Sequence, residues 1–255
     1  MRPSQALYDA VAPAYREHFE VPHRRAYDLL AWERVQRMLP GRGPVIDAGC
    51  GVGRWVTRLL GLGYEVIGIE QAPGMIDQAR RADYGPGFTL IEGSMETTDL
   101  PEASAGMVLA LGSLQYTADP AATLRRLAGW VRPGGTVVVL VDSLVALVIE
   151  LLQNGCAQEA VERLRTRVGC WAVAGHCAEM HLLDAAWLRQ AFEDAGLRDV
   201  EVTGLLQAAA PLGRERLGQR LAHDWDGHLD LERELSAHPV LADIGKQLLA
   251  SGSKR

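Results

Sequence analysis

From residue 44 onward the chain alternates between two rhythms. Five short apolar runs, "PVIDAG" (44–49), "EVIGIE" (65–70), "FTLIEG" (88–93), "MVLALG" (107–112) and "TVVVLVD" (136–142), are bounded by glycine, proline or acidic residues. Near-continuous hydrophobicity over so few residues predicts parallel strands buried on both faces. Between them the apolar positions recur at helical spacing, as in Trp55, Val56, Leu59 and Leu60, or Met75, Ile76 and Ala79. The pattern is clearest through Leu124, Leu127, Ala128 and Val131, where Asp119 stands as N-cap and Pro120 at the first helical position. "PGG" at 133–135 is expected to stop that helix and turn the chain. Strand, helix and strand in repetition imply a parallel sheet with right-handed crossovers and helices on both faces.

After Asp142 the rhythm breaks. Residues 143–169 carry no strand signal but two helical patterns, through Leu144, Leu147, Val148, Leu151 and Leu152 and then through Val161, Leu164 and Val168. Asp184 then caps a helix bearing Trp187, Leu188, Ala191 and Phe192, and Gly196 ends it. "RDVEVTG" (198–204) and "GKQLLAS" (245–251) read as two late strands, with a polar helical stretch over 212–238 between them. The expected fold is a doubly wound α/β domain with a mostly parallel seven-stranded sheet. Its parts are N-terminal helices (1–40), a core (41–142), a helical cap (143–183) and the rest of the sheet with a helical insertion (184–255).

Composition narrows the function. A length of 255 residues suits one α/β domain with insertions. A net charge of −6 and a pI near 5.7 argue against a dedicated nucleic-acid or anionic-membrane surface. "MRPSQALYDAVAPAY" lacks the apolar stretch of a signal peptide, and no segment approaches the roughly 20 apolar residues of a spanning helix. The chain is expected to be soluble and cytoplasmic. Cys50, Cys156, Cys170 and Cys177 show no C-x-x-C spacing, so reduced thiols are expected rather than a disulfide framework or a zinc site.

Candidate chemistry concentrates in "VIDAGCGVGR" (45–54). A glycine turn at the carboxyl end of a first strand lets the backbone approach a ligand where a side chain would collide, which suits a nucleotide-like molecule. The alternative is a tight structural strand-to-helix turn. A dinucleotide G-x-G-x-x-G fails on either count, because its last slot falls on Arg54 or on Val56. What stands here is acid-x-Gly-x-Gly-x-Gly, as Asp47, Gly49, Gly51 and Gly53. With "VIGIEQAPGMIDQAR", whose Glu70 ends the second strand, and "LRRLAGWVRPGGTVVVL", this resembles the class I S-adenosylmethionine-dependent methyltransferases of small-molecule type. The resemblance runs closely over 8–142 and loosely over 181–250.

That resemblance implies a Rossmann-like methyltransferase fold, S-adenosylmethionine as cofactor and S-adenosylhomocysteine as product. It places the backbone at Gly49 and Gly51 along the methionine part, with Asp47 helping to hold the ammonium group and Cys50 and Gly53 of the same turn also in the cofactor site. Glu70 is expected to take the ribose hydroxyls, and Gln71 and Met75 to flank the adenosine. The family's acid for the adenine amino group is replaced by Ser94, whose hydroxyl can still accept a hydrogen bond, and Met95 adds apolar contact. Leu111 ends the strand beside which the family presents the reactive methyl, and Gln115 and Tyr116 follow it. "YDAVAPAY" resembles a lid whose second tyrosine, Tyr15, approaches the cofactor carboxylate or packs in the core, while Tyr8 reads first as a core-packing residue.

A sulfonium methyl is already electrophilic, so the protein supplies alignment, desolvation and, for some acceptors, a base. Tyr116, His176, His181 and His18 are the candidates. "GHCAEMHLL" (175–183) lacks a zinc spacing, so no metal is expected, and its histidines read either as acceptor-facing or as ordinary solvated or core residues. Trp171 is the aromatic residue of the insertion with a claim on the pocket. The expected partner is a small organic acceptor, such as a specialised natural-product metabolite, as monomer or homodimer and without nucleic acid or membrane. A methyltransferase-like cyclase or non-methylating cofactor-binding protein is the alternative, and an RNA or protein methyltransferase fits the acidic balance less well.

Overall fold

In the computed structural model residues 3–15, 17–173 and 175–255 are described, apart from the side chains of Pro3, His18 and Arg214. His18, a candidate base, thus falls outside the described side chains. The chain opens with α1 (Pro3–Val11) and, after two short 3-10 turns, α2 (Pro22–Arg37). Then come β1 (Val45–Ala48), α3 (Arg54–Gly61), β2 (Val66–Glu70), α4 (Pro73–Arg81), β3 (Phe88–Glu92), β4 (Ala105–Leu111), α5 (Pro120–Trp130) and β5 (Val131–Asp142). The second half holds α6 (Leu144–Gln153), α7 (Ala157–Thr166), β6 (Val168–Val173), β7 (His176–His181), α8 (Ala185–Asp194), β8 (Leu197–Leu205), α9 (Ala209–His223), α10 (Trp225–Ser236) and β9 (Gln247–Lys254).

Seven strands form one sheet in the order β3-β2-β1-β4-β5-β9-β8, with β9 antiparallel to both neighbours and the remaining pairs parallel. The central strands β1 and β4 and the second half of β5 are almost wholly buried because both faces are covered. On one face α5 and α8 bury Leu124, Leu127, Leu188 and Phe192 against Val108, Val137 and Val139. On the other, α2, α3 and α9 bury Leu30, Val35, Trp55, Leu59 and Leu217 against Met107, Leu109 and Leu140. Each layer hides aliphatic side chains from water, the main driving force for this fold. β1 and β4 are adjacent, and the chain leaves them toward opposite sides, so a crevice opens beyond their carboxyl ends.

The caps form as the sequence predicts. Asp119 Oδ1 accepts from Ala122 N at 2.9 Å, and Asp184 Oδ1 from Trp187 N at 2.7 Å. Three details differ. α5 ends at Trp130, before "PGG", and these residues enter β5 through a register shift between Ala105 and Met107 on the neighbouring strand. The insertion over 143–183 is not all helix: after α6 and α7 it ends in an antiparallel hairpin of β6 and β7, from Val168 paired with His181 to Val173 paired with His176. And Cys170 and Cys177 are joined by a disulfide across that hairpin, where reduced thiols were expected. Hairpin pairing brings together two cysteines whose spacing in sequence carries no such signal. Among the described residues no helix is long and apolar enough to cross a membrane.

Candidate active site

The glycine turn leaves β1 at the crevice. Gly49 N and Cys50 N both donate to Ile69 O, at 2.8 and 3.1 Å, which ties the turn to β2. Gly49 has φ +86°, and a Cβ there would lie 2.4 Å from Ser113 Cβ, whose Oγ donates to Ala48 O at 2.6 Å. No side chain fits between turn and strap. Gly49→Ala is therefore expected to cost roughly 1–3 kcal/mol through strain alone, read as a lowered unfolding midpoint. Gly51, at φ +57°, faces open space instead, so its backbone is bare to the cleft.

The turn opens onto a cleft that is concave and partly open to solvent. Nine residues expected to hold the cofactor line it: Tyr15, Gly49, Gly51, Glu70, Gln71, Met75, Ser94, Met95 and Leu111. Tyr116 lines it too. The other expected residues sit behind or beyond the wall. Cys50 is buried with its Sγ against Gly68, and burial pushes its thiol well above the usual range. Gly53 lies under the Tyr84 ring, 2.6 Å from where its Cβ would be, and serves packing at the start of α3. His176 is exposed at the start of β7 and His181 half-buried at its end, and neither is among the residues that line the cleft. Among the described residues no group of three or more His, Cys, Asp or Glu is arranged for a metal.

Two carboxylates set the electrostatics. Glu70 Oε1 accepts from Gln71 N and Ala72 N, both at 2.8 Å, and Oε2 accepts from Gly51 N at 2.9 Å. With about four acceptor positions on a carboxylate, three are taken by backbone and one on Oε2 is left toward the cleft. Burial raises the Glu70 pKa, and the three N–H donors counter it. Asp47, 1 % exposed behind the turn, has an Oδ2 with no hydrogen-bond partner. Burial lifts its pKa to about 7, against the lowering pull of Arg54. Arg54 itself pairs with Asp28, bonds Tyr27 and lies 3.7 Å over the Phe19 ring, fastening the N-terminal segment to the turn.

The opposite wall comes from α1 and the segment after β4. Tyr8 lines the cleft, so it is more than a packing residue. Its ring meets Tyr116 edge-on, with centroids 5.6 Å apart at 88°, and the two side chains hydrogen-bond. Trp171 of the hairpin backs Tyr8 at 5.4 Å. Burial holds both Tyr8 and Tyr116 above the usual phenol range and pushes Tyr15 up to about 12. Gln115 faces away: its amide accepts from Asp142 N at 2.7 Å and donates to Asp142 Oδ2 at 2.8 Å, tying the wall to β5. α1 is held by Gln5 Nε2 donating to Gln71 O at 2.8 Å and by Gly74 N donating to Asp9 Oδ1 at 2.5 Å.

Glu96, which no motif spacing marks, also lines the cleft, and its Oε2 accepts from Ser94 Oγ at 3.3 Å. An acid thus stands two residues beyond the position where the family carries one. The signal was visible in "EGSMET", but only if the search continued past Ser94. The lining fits S-adenosylmethionine: a glycine turn that admits a ligand to the backbone, the Asp47 carboxyl buried behind that turn to act on an ammonium group by charge, and an acceptor position on Glu70 for a ribose hydroxyl.

Comparison with known proteins agrees with this geometry. Residues 46–139 match the family described as methyltransferase domain. The chain is 32% identical over 119 residues to malonyl-[acyl-carrier protein] O-methyltransferase of Serratia marcescens, covering 47% of this chain and 45% of that protein. It is 33% identical over 172 residues to trans-aconitate 2-methyltransferase of Methylobacterium radiotolerans, covering 66% and 62%. The matches thus span about half the length of such curated relatives. In fold, a SAM-dependent methyltransferase of Thermotoga maritima superposes with a TM-score of 0.62 at 17% identity, over 98% of this chain and 99% of that one. The glycine turn, the sheet order and these matches converge: residues 46–139 match the methyltransferase-domain family, and the chain is similar in sequence and fold to S-adenosylmethionine-dependent methyltransferases.

Proposed function

We propose that the protein transfers a methyl group from S-adenosylmethionine to an O, N or C atom of a small organic acceptor, of the kind found among specialised metabolites. The observation that carries this reading is the cleft itself, with cofactor-type groups on one wall and a tyrosine wall facing them. When bound, the cofactor supplies an electrophilic methyl on its sulfonium. The chain's own part is to position and to exclude water. Gly49 and Gly51 admit the ligand to the backbone, Asp47 balances its ammonium charge, and Glu70 and the Ser94–Glu96 pair orient the nucleoside. Tyr8 and Tyr116, kept protonated by burial, orient the acceptor as neutral hydrogen-bonding groups. With both hairpin histidines off the wall, alignment rather than a histidine base supports the chemistry.

Tyr116→Phe is expected to lower kcat roughly tenfold, the equivalent of one hydrogen bond of about 1.4 kcal/mol, with cofactor affinity unchanged. His176→Ala and His181→Ala are expected to leave both unchanged. Steady-state kinetics and calorimetry check the three variants, and a pH-dependent loss of turnover in either histidine variant would restore a base. The reaction itself is tested by incubating the protein with methyl-labelled S-adenosylmethionine and a metabolite extract. Label is expected in a small product. Cofactor consumed without methyl transfer would point to the cyclase or non-methylating reading, and label in RNA or protein to a macromolecular acceptor.

A further inference from the structure

We propose that the groove between α9 and α10 is a second binding site, for a small oxyanion: the phosphate or carboxylate group of a metabolite. The groove is open to solvent and shares no lining residue with the glycine-turn cleft. α9 lines it with Leu212, Arg216, Gln219, Arg220 and His223, and the start of α10 with Asp224, Gly227, His228 and Leu231. Each set recurs at helical spacing, so two facing stripes meet across the groove.

The observation that points to a ligand is His228. It is only 4 % exposed, yet neither ring nitrogen has a hydrogen-bond partner. Its neighbour Glu232 does not meet that need: Nε2 is 3.4 Å from Glu232 Oε1 without bonding geometry, and the Glu232 carboxylate already accepts from Gln207 N at 2.6 Å and Ala208 N at 3.0 Å. Buried polar groups are almost always partnered, and an exception calls for a missing ion, water or ligand. The surrounding charge selects an anion. Arg216, Arg220 and a second imidazole, His223, line the groove beside one exposed carboxylate, Asp224, whose Oδ1 is engaged by Gly227 N at 3.0 Å as the cap of α10, while the buried Glu232 carboxylate beside His228 is held by two backbone N–H groups. The N-terminus of α10 adds the positive end of its helix dipole. Leu212 and Leu231 leave room for a short carbon skeleton.

The test is NMR of the His228 ring in the full-length protein, titrated with inorganic phosphate and with acetate, against sodium chloride at matched ionic strength. A saturable shift with phosphate or acetate is expected. The tighter of the two arms identifies the group recognised. In Arg216→Gln/Arg220→Gln, both exposed positions, the dissociation constant should rise at least tenfold while S-adenosylhomocysteine affinity stays unchanged. A shift that merely follows ionic strength, or one equal in the double variant, would overturn the proposal. So would displacement of phosphate by a short RNA at much lower concentration, which would make the groove a nucleic-acid surface.

Discussion

Glu70→Ala should weaken S-adenosylmethionine binding about 10- to 100-fold, as expected for loss of roughly 1.5–3 kcal/mol in hydrogen bonds to a charged group. The structure adds a second consequence. The Glu70 carboxylate is also the partner of Gly51 N, Gln71 N and Ala72 N, so its removal frees three backbone donors at once. Donors left unsatisfied in a largely buried site are costly, so unfolding should also shift, by on the order of a few kcal/mol. Glu70→Gln separates the two effects. Its carbonyl oxygen can keep two of the donors, but its amide nitrogen cannot accept from Gly51 N. Calorimetry and thermal unfolding on both variants should show the glutamine form closer to wild type in stability than in affinity. An alanine form with unchanged affinity would mean that the ribose is held elsewhere.

Asp47 should make cofactor affinity depend on pH. Its pKa in the folded protein is about 7, because burial penalises the charge, against about 3.9 when unfolded. Below pH 7 the carboxyl is mostly neutral and a poor partner for an ammonium group. Affinity should therefore rise by up to about tenfold per pH unit toward pH 7 and level off above it. The sign for stability is opposite. The folded state binds this proton more tightly than the unfolded one, so the contribution is full below about pH 4 and is lost as pH rises to about 7. Asp47→Asn should flatten both profiles, leaving a protein that is more stable at pH 8 but binds the cofactor roughly 10- to 100-fold more weakly. A wild-type affinity independent of pH between 5 and 8 would remove Asp47 from the site.

The parts of the fold that could be read from residue order are those whose signal is local. β1, β4 and β5 announce themselves because both faces are buried, which forces continuous apolar runs. Asp119 with Pro120, and Asp184, mark helix starts because capping chemistry is confined to a few neighbouring residues. The hairpin escaped because "VGCWAV" and "HCAEMH" mix small, polar and aromatic residues, and their pairing is decided by each other and by α1 packed against β7. The site divides the same way. Gly49, Gly51 and Glu70 lie within or beside strand ends that spacing defines. Tyr8 joins the wall only because Gln5 and Asp9 pin α1 to the start of α4, a contact between segments far apart in sequence. His176 and His181 stand out by residue type, but their place relative to the cleft depends on how the hairpin packs, which residue order does not show.

What the glycine turn holds decides the chemistry of the cleft. Isothermal titration of the wild-type protein at pH 8 with S-adenosylhomocysteine, and separately with NAD, measures this directly. The geometry of Gly49, Gly51, Asp47 and Glu70 predicts saturable one-site binding of S-adenosylhomocysteine and far weaker binding of NAD. Tighter binding of NAD, or no binding of S-adenosylhomocysteine by the folded protein, would contradict it.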